Sequence, residues 1–120
     1  MTNNTPQSQT DPIVWQKSLE FSKLILDLSQ NLKTTRPNFR LFEQMEAAAT
    51  SIAKNAANAQ EQTSREANNQ FLIPIRASIP EIMTIIGIFK LRNWIDETTN
   101  HRIKSQALEL TELVNMRDKD

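Results

Sequence analysis

The 120-residue chain has no cysteine, no tyrosine, one glycine and one histidine. Without cysteine there is no disulfide framework, thiolate zinc site, iron–sulfur cluster or cysteine nucleophile. A single histidine excludes most histidine cages for a metal within one chain. A single glycine excludes a P-loop, a dinucleotide-binding loop and any glycine-rich β architecture. The many asparagines never precede glycine, so β-hairpins lack their usual turn pair. No apolar run approaches the ~20 residues that a membrane helix needs. Met1 to Asp11 show neither a basic nor an apolar segment, which argues against a signal peptide. Net charge is missing too, with 14 Lys+Arg facing 14 Asp+Glu. Strong electrostatic capture of a polyanion by the monomer is therefore not expected.

What is plentiful is Ala, Leu, Glu, Gln and Lys, the good helix formers. Together these features point to a small, soluble, cytoplasmic, all-α domain. Residues 1–11 are polar and bury too little to offset their ordering entropy, so they read as a disordered tail. Residues 12–117 read as the folded unit and 118–120 as a frayed end.

Four helical stretches follow. The first runs from Pro12 to about Lys33, with Asp11 as N-cap and Pro12 at the first position. Val14, Phe21 and Leu28 repeat at seven and form the main stripe with Leu24, Ile25 and Leu32. Thr34 to Pro37 break this pattern. The second helix runs from about Asn38 to Gln60. Its seam of Phe42, Met45, Ala49, Ile52, Ala56 and Ala59 has coiled-coil spacing and is half alanine. Ser64 caps the third helix. Leu72, Ile75, Ile79, Ile82, Ile86 and Phe89 repeat that spacing across Pro74 and Pro80. Either the helix breaks near Phe71–Pro74 or it continues with kinks; the unbroken phase favours continuation. Gly87 would allow close contact with a neighbouring helix. Trp94 and Ile95 read as an apolar plug in the loop Arg92–Asp96, and Asp96 as the cap of a fourth helix ending near Met116. Four helices with short loops give an antiparallel up-down-up-down bundle.

The polar residues offer little catalytic chemistry. His101 has no oriented nucleophile or carboxylate suggested by spacing and reads as an exposed residue. Glu43 with Glu46, and Glu109 with Glu112, are three apart, but no Glu-x-x-His motif accompanies them; they read as solvated faces. Neither a metal nor another cofactor is expected. Arg36, Arg40 and Lys54 bracket the second helix, and Arg65 and Arg76 share a face of the third. Multiplied by oligomerisation, these five could bind phosphate backbones. Arg76, Ser78 and Glu81 flank the third seam and suit an interhelical network in which Arg76 reaches Glu46 or Glu81. Trp15, Leu19 and Leu26 lie beside the first stripe, and Phe71, Ile73, Ile85 and Ile88 beside the third seam. A monomer would expose several of them together, so they are candidate oligomer-interface residues.

These motifs carry a resemblance. Ile13-Val14-Trp15-Gln16-Lys17-Ser18 resembles the opening of the four-helix-bundle family encoded by intervening sequences of bacterial 23S ribosomal RNA genes. The stretch Gln44 to Ala57, with Ser51 and Asn55, resembles that family's second helix. Ser64, Glu66, Phe71, Leu72, Arg76, Ala77, Ser78, Ile79 and Glu81 take the places of its third-helix motif. The likeness covers Ile13 to Met116. It departs at Asn58-Ala59, where the family has Glu-Gly, at Ala77, where it has Gly, and at Glu46, where it has a base.

The resemblance implies a non-enzymatic bundle assembled as a homo-oligomeric ring, typically a pentamer. It also implies a scaffold or accessory role with RNA or a ribonucleoprotein partner. A related branch, the accessory variability determinants of diversity-generating retroelements, implies a reverse transcriptase and its RNA as partners. An enzyme with a metal site in the bundle core is the expectation of a different class.

Overall fold

The computed structural model describes residues 12–35 and 39–119. The Met1–Asp11 tail, the Asp11 cap and residues Arg36, Pro37 and Asn38 lie outside the described residues. Four α-helices follow in order: α1 (Pro12–Lys33), α2 (Phe39–Glu61), α3 (Arg65–Leu91) and α4 (Glu97–Lys119). No strand occurs among the described residues. The expected α2 start at Asn38 lies outside the described residues; α2 ends at Glu61, one residue past the expected Gln60, and α4 continues past Met116 to Lys119.

The helix ends have local causes. Ser64 has extended backbone, and its Oγ accepts from the Ala67 amide at 3.1 Å. Asp96 Oδ1 accepts from the Thr99 amide at 2.8 Å. That bond, then a bond from the Thr99 side chain, hold the Asp96 carboxyl below its ordinary range against a smaller upward push from desolvation. α3 stops through Asn93, which has φ 61° in the left-handed region. The Asn93 amide donates to the Lys90 carbonyl at 3.0 Å and the Trp94 amide to the Phe89 carbonyl at 2.9 Å. This is the paired C-terminal arrangement that usually employs glycine. It swings Trp94 back over Phe89, with ring centroids 5.3 Å apart.

α3 runs unbroken through Pro74 and Pro80. The continuous reading of the seam is the one observed, because Leu72, Ile75, Ile79, Ile82, Ile86 and Phe89 are all buried. Ridge contacts along the whole helix offset the ~3 kcal/mol that an interior proline costs. By length and composition, α3 is also long and apolar enough to cross a membrane, with a window of mean hydropathy 1.6. The sequence reading, which counts uninterrupted apolar runs, misses this because Arg76 and Glu81 stand within α3. Of that window 39% is buried inside the bundle.

Successive helices run antiparallel. Ser22 Oγ donates to the Ala49 carbonyl (2.8 Å), Asn68 Nδ2 to the Ala59 carbonyl (2.8 Å), and Lys17 meets Glu109 at 3.4 Å. The three pairs tie α1 to α2, α2 to α3 and α1 to α4. α2 packs most intimately, against α3 and then α1, while α4 rests more loosely on α3 and α1. The alanines explain that order: Ala48, Ala49, Ala56 and Ala59 are buried and let backbones approach. The result is a rod of 52 × 22 × 22 Å. The expected plug closes one end, where Phe42 lies 5.4 Å from Phe89 and 6.2 Å from Trp94, and Ile95 is 7% exposed.

Candidate functional site

α1 places Trp15, Leu19 and Leu26 on one side of the helix, beside the buried row that ends in Ser22 and Ser29. They are 38%, 44% and 37% exposed. On α3 the candidates separate. Ile73 is 55% exposed, whereas Phe71 and Ile88 are half-buried against the core. Ile85 is 4% exposed and belongs to the core, so it is not an interface residue in this chain. It follows Ile82 by three and precedes Phe89 by four, so the inward stripe is wide enough to include it. Gly87 lies on the solvent side; an added Cβ would meet nothing within 4 Å. Its expected close helix contact therefore does not occur within the chain.

The basic candidates do not gather. Arg36 lies outside the described residues. Arg40 starts α2 at the plugged end, Lys54 is exposed about 21 Å further along the same helix, and Arg65 starts α3 at the opposite end. Arg76 is half-buried and engaged. The plugged end instead collects basic residues from several elements. Arg92 lies over the Trp94 ring at 5.2 Å, and Lys90 pairs with Glu97 at 3.2 Å. Lys90 and Lys104 border an open groove of about 550 Å3 floored by Met83, Ile86, Gly87 and Leu91. Arg40 and Arg102 are exposed near the same end. Sequence spacing along one helix could not reveal this set, which forms only when α3 turns into α4 above the start of α2.

The interior polar groups serve the bundle. Ser29 Oγ donates to Glu46 Oε2 at 2.5 Å, and Lys33 Nζ stands 2.8 Å from the same oxygen. The Lys33 bond, then the Ser29 bond, hold the Glu46 carboxyl below its ordinary value, against a smaller upward push from burial. The sequence offers Glu46 to Arg76; the structure gives it Lys33 and Ser29. Asn55 Nδ2 donates to the carbonyl (2.8 Å) and hydroxyl (3.2 Å) of Ser51, one turn earlier. Of the other motif positions, Gln44 and Glu81 are exposed, and Ser78 is buried at 8%. Ser18 Oγ and Gln60 Oε1 are buried without a partner. Gln60 helps line a pocket of about 10 Å3 beneath Trp15, the volume of roughly one water.

His101 is exposed. Among the described residues, no three His, Cys, Asp or Glu side chains are grouped to hold a metal.

The family model described as 23S rRNA-intervening sequence protein matches residues 10–116, a span that includes all of α1, α2 and α3 and most of α4. No curated protein and no solved structure matches the chain.

Proposed function

Because the chain belongs to the 23S rRNA-intervening sequence protein family, we propose that it is a non-enzymatic, homo-oligomeric scaffold that holds RNA or a ribonucleoprotein partner in the cytoplasm. The observation that carries this reading is the row Trp15, Leu19 and Leu26, exposed together on α1 of a bundle whose core is already closed. Large apolar groups grouped on a surface usually mark an interface. Closed cyclic assembly buries such groups without open-ended growth. A ring of five is the form that the resemblance implies.

The basic end supports the RNA part. Arg40, Arg92, Arg102 and Lys104 are too few on one chain to grip a polyanion, but a ring repeats them on one rim. Multi-angle light scattering at micromolar concentration tests assembly: a mass near five times 13.8 kDa is expected, and 13.8 kDa refutes it. RNA retention tests the partner. Changing Arg40, Arg92 and Lys104 to Glu should abolish it, while Lys54→Glu with Arg65→Glu should weaken it less. With six or more phosphates engaged, affinity should fall on the order of 10^3-fold between about 50 and 200 mM salt. The accessory reading, with a reverse transcriptase as partner, uses the same bundle; a reverse transcriptase gene beside this one would favour it, and a ribosomal RNA operon around it the first.

A further inference from the structure

We propose that the outward face of α3 is a subunit seam and that the α1 row of a second copy of this chain covers it. The proposal rests on the homo-oligomeric reading above and names the two surfaces that would join. Its basis is a second period in α3. Ile73, Ala77, Pro80, Thr84, Gly87 and Leu91 are spaced 4-3-4-3-4, and all six are exposed. That is seam spacing, on the side turned away from the core. A helix apolar on both sides is one that has neighbours on both sides.

The row is suited to close packing. None of its residues is charged. Its middle is small, and around Gly87 there is open space. Its one hydroxyl is satisfied within the helix, since Thr84 Oγ1 donates to the Pro80 carbonyl at 3.0 Å. Docking there leaves the Thr84 hydroxyl paired, with Arg76 and Glu81 bordering the row on either side. Its ends, Ile73 and Leu91, are 55% and 85% exposed.

The complement is on the same molecule. Trp15, Leu19 and Leu26 are large and exposed on α1, whereas the middle of the α3 row is small. Trp15 to Leu26 and Ala77 to Gly87 each span about 15–17 Å of helix. Zero net charge places no repulsion between copies. α1 and α3 are not sequential neighbours; each packs against α2 and α4. One chain therefore cannot bring its own two rows together. Pairing α3 with α3 across a two-fold axis would leave every α1 row bare. A single head-to-tail contact covers both, and such contacts close into rings when the rotation allows.

A chain without cysteine makes the test direct, because an introduced thiol reports one position. Leu19→Cys subunits mixed with Thr84→Cys or Pro80→Cys subunits should give disulfide-linked dimers on mild oxidation. Ala77→Arg and Gly87→Arg, both on the open face, should keep the helical circular dichroism of the parent while the mass falls to 13.8 kDa and the melting temperature loses its dependence on protein concentration. Dimers from Thr84→Cys alone would overturn the pairing in favour of α3 on α3. A multimeric parent unaffected by either Arg variant, with no mixed dimers, would overturn the seam and leave the oligomeric reading standing. A monomeric parent would overturn both. Flotation of the parent, but not of Gly87→Arg, with phosphatidylcholine vesicles would assign the face to lipid instead.

Discussion

Two serines on α1 differ in one respect that can be measured. Ser22 spends its hydroxyl on the Ala49 carbonyl, and Ser18 has a buried hydroxyl with no partner. Ser22→Ala should therefore cost about 0.5–1.5 kcal/mol, whereas Ser18→Ala should be neutral or stabilising. Urea unfolding midpoints of the two variants decide this. Glu46 is the titrating counterpart. Its carboxyl is depressed from 4.5 by Lys33 and Ser29, so the folded state binds its proton less readily than the unfolded chain. Its contribution is present above the ordinary value and is lost as pH falls through the lower folded one. Stability should thus drop on acidification from about pH 5 downward, and Glu46→Gln should flatten that limb while lowering stability at neutral pH. An unchanged acid limb in the variant would contradict the assignment.

At the scale of the element, α3 is where propensity and packing disagree. Pro80 is exposed on a continuous helix, so within its own chain it contributes little packing while removing a backbone bond. Pro80→Ala should stabilise by roughly 1–2 kcal/mol, the ~3 kcal/mol helix penalty less the entropy that proline removes from the unfolded chain. Asn93 makes the opposite case: Asn93→Ala should cost about 1 kcal/mol at its left-handed φ, and Asn93→Gly should cost nothing. Thermal unfolding of the three variants checks both. Helix extents were legible in the sequence because their causes are local, as at Ser64, Asp96 and the phased seams. Ile85 was misplaced because one seam was assigned to a helix that buries a wider stripe. The outward row of α3 went unread for the same reason. The Glu46 partner and the basic end were illegible because both depend on which helices become neighbours, and spacing along one helix is silent on that.

At the scale of the molecule, four is an even number of helices. Pro12 and Lys119 therefore lie at the same end of the 52 Å rod, opposite the aromatic plug. Force applied between the two ends would not shear the bundle along its axis. It would pull α1 from α4 side by side, opening their contact one turn at a time from the free end. That contact is among the looser ones, while the alanine-lined contacts of α2 with α1 and α3 would bear little load at first. A tethered chain should accordingly unzip at low force and release α4 before α2 and α3 separate. Tethered instead through the plugged end and one terminus, the same bundle would be loaded along its full length and resist far more.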